Sequence, residues 1–224
     1  MSDLHILFED NHLVAVNKRP GVLVQGDATG DVPLSDLVKE YIKKKYNKPG
    51  AVFLGVVHRL DRPVSGVVVF ARTSKSLERM NELFRNRETE KIYNAIVYGK
   101  PAKTSDNLVH WLVKDETKNK TTAYKKENKD GLRSELSYRI IKKAGDNSLL
   151  EVYPITGRPH QIRVQLASIG CPIVGDVKYG ASEPNDDASI CLHASKLRFV
   201  HPVRKEQVTI EAPFPENRLW EAFT

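Results

Sequence analysis

Two short apolar runs bracket a knot of charge, and they constrain the fold more than any other stretch. Leu54-Gly55-Val56-Val57 leads into His58-Arg59-Leu60-Asp61-Arg62, and Val67-Val68-Val69-Phe70-Ala71 follows Pro63-Val64-Ser65-Gly66. Short valine-rich runs bounded by turn formers read as buried strands rather than helices. Pro63 and Ser65-Gly66 read as a tight connection between them. A carboxylate at such a strand end, flanked by Arg59 and Arg62, would stay ionised and could act as a nucleophile. An ordinary strand-end ion pair fits the same residues, so the rest of the chain has to decide.

Strand-like runs dominate that remainder, at 4–8, 13–16, 52–57, 67–71, 92–98, 108–113, 136–141, 149–155, 190–193 and 208–210. Helical spacing is rarer. Leu34, Leu37, Val38, Tyr41 and Ile42 form one stripe. Leu77, Met80, Leu83 and Phe84 form a second, with Ser74 as its expected cap. Ile162, Leu166 and Ile169 form a third, with Pro159 near its start and Gly170 just past its end. A short helix is expected at 219–223. Many strands with few helices predict an α+β domain on a mainly antiparallel sheet. No Gly/Ser/Pro linker divides the chain, so 1–224 reads as one domain. The polar stretch 114–131 holds six lysines and four acids and reads as an exposed loop or hairpin; 26–32 and 181–188 read as further loops.

Charge narrows the partner. The 224 residues carry 35 Lys plus Arg against 28 Asp plus Glu, a net +7, which favours a polyanion. Cys171 and Cys191 form neither a disulfide framework nor a zinc site and suit a reducing cytoplasm. No apolar run reaches membrane-spanning length, and the start of the chain lacks a signal-peptide pattern. The histidines show no close pairing and no Cys-x-x-Cys occurs, so neither a metal nor another cofactor is expected. The default expectation is a cytoplasmic monomer with no membrane partner.

The segment His58-Arg59-Leu60-Asp61-Arg62-Pro63-Val64-Ser65-Gly66 resembles the signature of the RluA-type pseudouridine synthases, His-Arg-Leu-Asp, two variable residues, then Thr-Ser-Gly. Ile6-Leu7-Phe8-Glu9-Asp10 with Leu13-Val14-Ala15-Val16-Asn17-Lys18 resembles the family's opening strand pair. Lys91-Ile92-Tyr93 resembles its Lys-x-Tyr motif, and Gly157-Arg158-Pro159-His160-Gln161-Ile162-Arg163 its Gly-Arg-x-His-Gln-Ile-Arg motif. Cys171-Pro172-Ile173-Val174-Gly175-Asp176, Tyr179-Gly180 and Leu192-His193-Ala194 follow in the family's order. The chain departs from the pattern at Val64, where the family usually has Thr, and at Arg19, inserted between the usual Lys and Pro.

The resemblance implies the pseudouridine synthase fold, a bent sheet with an RNA cleft across its middle. It implies isomerisation of uridines in ribosomal or transfer RNA. Many members carry an N-terminal S4 RNA-binding domain; this chain opens directly on what resembles the catalytic domain, so no such module is expected. By motif, Asp61 is the nucleophile or the stabiliser of ribosyl cation character, with attack on C1′ and abstraction of a ribose proton both open to it. Tyr93 stacks on the uracil and handles the C5 proton. Arg163 pairs with Asp61 and holds it ionised. Arg59 fills the space of a flipped nucleotide or contacts phosphate. Ile173 and Val174 wall the uracil pocket. Lys18, Arg62, Arg158 and His160 are further RNA-contact candidates, with His160 and Gln161 bracing the helix start; His193 and Arg198 are weaker ones.

Two other classes compete. A non-catalytic RNA-binding protein or RNA chaperone needs a basic surface but not Asp61, Tyr93 and Arg163 together. A nucleoside hydrolase or glycosidase conflicts with the lack of a second carboxylate beside Asp61.

Overall fold

The computed structural model describes residues 4–223. In chain order its strands are β1 (Ile6–Glu9), β2 (Leu13–Lys18), β3 (Gly55–Val56), β4 (Ser65–Ala71), β5 (Glu90–Tyr98), β6 (Ser105–Asp115), β7 (Lys120–Tyr124), β8 (Leu132–Ala144), β9 (Asn147–Pro154), β10 (Leu192–Val200) and β11 (Gln207–Glu211). The helices are α1 (Leu34–Lys45), α2 (Ser74–Arg85), α3 (Gln161–Ser168) and α4 (Arg218–Glu221), with a 3₁₀ turn at Val177–Tyr179. This is the α+β, mainly antiparallel architecture that the strand-rich pattern predicts. The residues gather into two compact units. One takes the chain up to Glu90 and again Ala194–Pro213; the other takes Lys91–His193 and the chain from Phe214 on.

In the first unit the turn between β1 and β2 is held by Asp10, whose Oδ1 accepts the N–H groups of His12 (2.8 Å) and Leu13 (2.7 Å). β2 then runs antiparallel to β4 from Leu13↔Ala71 to Lys18↔Gly66. That register sets Lys18 beside the end of the charged signature. All seven residues of β4 are buried, as a continuous apolar run between two neighbouring strands requires. Val67, Val69 and Ala71 join Leu13, Met80, Leu197, Phe199 and Ile210 in one core cluster. At Gly66, φ is +115°, and a Cβ would lie 2.3 Å from the carbonyl oxygen of Ala194. Only glycine can hold β4 this close to β10.

Three local expectations are corrected here. The 52–57 strand shrinks to Gly55–Val56, paired with Ala71 and Phe70, because β10 is also a neighbour of β4. The cap of α2 is Thr73, one residue earlier than expected. Its hydroxyl accepts the Ser76 N–H (3.1 Å), while the Ser76 hydroxyl accepts the Thr73 N–H (3.2 Å), a reciprocal capping box. β10 continues well past 193, because Leu197 and Phe199 are buried between the polar Lys196 and Arg198 and pair with Ile210 and Val208 of β11.

In the second unit the strands run in the order β5-β9-β8-β6-β7, each neighbouring pair antiparallel. The 114–131 stretch is a hairpin: β6 turns at Asp115↔Lys120 into β7, with Asp115 Oδ1 accepting the N–H groups of Thr117 and Lys118. β7 lacks an apolar run because its inward residues are only Thr121 and Ala123. Helix α3 differs from its expected one-sided stripe, since residues 161–166 are all buried. α4 is capped by Asn217, whose Oδ1 accepts the N–H groups of Leu219 (3.1 Å) and Trp220 (3.2 Å).

Candidate active site

Asp61 begins a tight turn closed by the Val64 N–H donating to its carbonyl (3.0 Å). Val64 itself is 2% exposed, so the departure from Thr suits an apolar seat. The turn is tied down through Arg62. Its carbonyl accepts the Gly21 N–H (2.8 Å) and Lys18 Nζ (3.0 Å), and its Nε donates back to the Gly21 carbonyl (2.9 Å). Its guanidinium also pairs with Asp31 (2.8 Å). Asp61 is half-buried and Arg59 exposed, which leaves a carboxylate at the rim of a braced turn with an exposed cation two residues away in the chain.

Lys18 corrects an expectation. It is fully buried, and its Nζ donates to the carbonyls of Arg19 and Arg62, each at 3.0 Å. An ammonium so placed holds the Asp61 turn and does not reach for phosphate. Burial pulls its pKa down to about 7, opposed by the negative charge of Asp61 and reinforced by Arg62. His58 supports the same segment. Its Nε2 accepts the Val69 N–H (3.1 Å), and its ring stacks on Phe84 with centroids 5.0 Å apart.

In the second unit Arg163 lies on the buried helix α3 and is 6% exposed. Its Nε and Nη2 donate to the two oxygens of Asp176, at 2.7 and 2.8 Å. The ring of Tyr179 lies 5.0 Å from the guanidinium carbon. The Tyr179 hydroxyl accepts the Thr121 N–H (2.9 Å) and meets His160 Nδ1 at 2.7 Å. His160 precedes α3 in the left-handed region at φ 55°. Gln161 braces the helix start, as expected. Its Oε1 accepts from Thr156 Oγ1 (2.8 Å) and the Arg158 N–H (3.0 Å), and its Nε2 donates to the Glu135 carbonyl (3.0 Å).

Tyr93 sits half-buried on β5, opposite Val152. Ile173 bridges Val97 of the same strand, and the Val174 N–H donates to the Ile96 carbonyl (2.9 Å). The structure therefore groups Lys18 and Arg62 around the Asp61 turn, Arg163 and His160 around Tyr179, and Ile173 and Val174 beside the strand of Tyr93. His193 is fully buried, with Phe214 and Trp220 edge-on to its ring; it packs rather than contacting phosphate. Arg198 pairs with Glu90 at 3.1 Å. Sequence reasoning gave no role to Asp176 or Tyr179. A usable signal was present, because an arginine on a buried helix demands a buried carboxylate.

This fold, with a braced Asp in a His-Arg-Leu-Asp turn and a buried Arg on a following helix, defines the pseudouridine synthase class. Residues 12–168 match the RNA pseudouridylate synthase family. Over 215 residues the chain is 35% identical to a ribosomal large subunit pseudouridine synthase C from Buchnera aphidicola subsp. Acyrthosiphon pisum, covering 93% of this chain and 66% of that relative. It is 32% identical over 236 residues to the tRNA pseudouridine synthase C of Vibrio cholerae, covering 97% and 93%. In structure it resembles human RNA pseudouridylate synthase domain containing 4 (TM-score 0.80, 24% identity, 97% and 90% coverage) and domain containing 1 (0.74, 25%, 95% and 84%). The chain spans 66% to 68% of the length of ribosomal relatives such as those of Buchnera and Vibrio cholerae. The chain belongs to the RNA pseudouridylate synthase family.

Proposed function

We propose that this protein is an RNA pseudouridine synthase, an isomerase acting on uridines of ribosomal or transfer RNA. In that reaction the N1–C1′ bond of a uridine breaks, the uracil turns, C5 bonds to C1′, the C5 proton leaves and N1 takes one up. No redox partner is required, since the product is an isomer of the substrate. Asp61 supplies the carboxylate, as nucleophile toward C1′ or as base toward the ribose. Arg163 holds that carboxylate ionised, and Tyr93 stacks on the base and handles the C5 proton. Arg59, exposed beside the turn, takes the place of a flipped nucleotide or a phosphate partner, and the net charge of +7 favours a polyanionic substrate.

The observation that carries this reading is the braced Asp61 turn inside the family signature. A protein that only binds RNA has no use for an acid on a turn that Lys18 and Arg62 brace in a basic surround. The test uses ribosomal and transfer RNA transcripts labelled with tritium at uracil C5. Wild-type protein should release tritium, and folded Asp61→Asn, still RNA-bound, should release none. Free uracil would point to a hydrolase, and no release from any RNA to a binding protein.

A further inference from the structure

We propose that Asp176 and Tyr179 are positioning residues that fix the guanidinium of Arg163 in one plane and one direction. The inference rests on the catalytic role proposed for Arg163 and adds the device that makes that role possible. Arg163 and Asp176 are 6% and 1% exposed. An ion pair this dry is a poor stabiliser, because desolvation consumes most of what the charges return. Its geometry explains its presence better. The guanidinium carries five N–H donors in a rigid plane. Asp176 takes Nε–H and one Nη2–H through its two oxygens. A two-point contact fixes both the plane and the heading of the opposite edge. The edge that carries Nη1 and the outer Nη2 N–H is thereby given a single heading.

One freedom survives a two-point contact, a tilt about the line joining the two bonds. The Tyr179 ring, 5.0 Å from the guanidinium carbon, limits that tilt from one face and favours the cation over it. Both partners come from one piece of chain. Asp176 immediately precedes the 3₁₀ turn Val177–Tyr179, and the Tyr179 N–H donates to the Asp176 carbonyl (3.0 Å). Side chains three apart eclipse on such a turn, so a single turn presents carboxylate and ring to the same guanidinium.

Tyr179 is itself held from behind. Its hydroxyl accepts the Thr121 N–H and shares a proton with His160 Nδ1, 2.7 Å away. Burial raises the Tyr179 pKa and keeps the hydroxyl protonated. Arg163 is thus braced from the 3₁₀ turn and, through Tyr179, from β7 and from the residue that starts its own helix.

The experiment pairs turnover with a readout of Arg163 itself. The Arg163 Nε–H resonance, assigned by its loss in Arg163→Lys, should be protected from exchange in the wild type. Asp176→Asn keeps the shape but turns an N–H donor toward the guanidinium, so that protection should vanish. Tritium release at saturating RNA should fall about a hundredfold, the scale of a 1 Å misplacement, with KM within about threefold. Should Asp176→Asn not fold, Tyr179→Leu carries the same test with the ion pair intact, and kcat should fall about tenfold at unchanged KM. Loss of protection with full turnover, or a rise in KM at unchanged kcat, would overturn the proposal. A wild type that releases no tritium from any RNA removes the synthase reading and this proposal with it.

Discussion

Replacing Gly66 by Ala tests how the signature is built, and its cost can be worked from the backbone alone. At φ +115° a Cβ would lie 2.3 Å from the Ala194 carbonyl oxygen, 2.6 Å from its nitrogen and 2.7 Å from its carbonyl carbon. These are main-chain atoms of a neighbouring strand, so no rotamer change relieves the clash. Holding a non-glycine residue in this sparsely populated region costs about 1–3 kcal/mol. Forcing the strands apart adds about 1–3 kcal/mol, as overpacking does in well-packed cores. A total near 4 kcal/mol is a large part of the roughly 5–15 kcal/mol that stabilises a typical protein. For a chain of this size each kcal/mol moves Tm by about 2–4 °C, so the expected drop is about 8–16 °C. Differential scanning calorimetry reads the shift directly. Gly145→Ala is the control, because its φ is +58° with nothing within 4 Å of the added Cβ; it should cost only about 1–2 kcal/mol. A Gly66→Ala protein melting within about 2 °C of wild type would refute the argument, since the strain term alone predicts at least that.

Three further outcomes are expected. Lys18→Met removes one of the two donors that hold the Arg62 carbonyl, and tritium release should fall about tenfold or more in a folded protein; unchanged release would show that Lys18 does not position Asp61. The folded pKa of Lys18, about 7, lies below its ordinary value of 10.5, so its charged form is penalised in the fold. Wild type should therefore gain stability on Lys18→Met as pH rises from 7 toward 10.5, and parallel urea-denaturation curves over that window would disprove the burial of the charge. His201 is fully buried, and its Nδ1 accepts the N–H groups of Val203 (3.2 Å) and Arg204 (2.9 Å). Burial lowers its pKa, against the pull of Asp10 3.0 Å away, so its contribution is complete above the ordinary histidine pKa and is lost as pH falls through its lower folded value. Stability measured between pH 7 and 4.5 should fall more steeply in wild type than in His201→Gln; equal slopes would show that burial does not lower the His201 pKa in the fold. Arg59→Ala should impair activity on structured RNA more than on an unpaired oligonucleotide, and equal losses would leave Arg59 only a phosphate contact.

What could be read from the residues was what local pattern carries. The valine-rich runs around Asp61 declare strands because β-branched side chains pack on a pleated surface and little else suits them. The stripes at 34–42 and 77–84 declare helices by their spacing. The ordered signature segments carry the family, and with it Asp61, Tyr93 and Arg163. What stayed hidden depends on residues far apart in the chain. β7 could not be read because only Thr121 and Ala123 face inward on it, and β10 was cut short because Lys196 and Arg198 break its apolar residues into an alternation rather than a continuous run.

The same division runs through the candidate site. Sequence alone determined which residue types stand in which motif, because covalent order preserves a signature whatever the packing. It could not show that Lys18 is buried under the Asp61 turn. That follows from the pairing of β2 with β4, and a lysine written among charged residues looks the same whether it faces water or a carbonyl. Nor could it show that Arg163 spends two donors on Asp176, thirteen residues later. Only the turn at Val177–Tyr179 swings that carboxylate and the Tyr179 ring onto the guanidinium. Burial and partner choice are settled by which surfaces meet in three dimensions, and that depends on long-range pairing rather than on any one residue's neighbours in the chain.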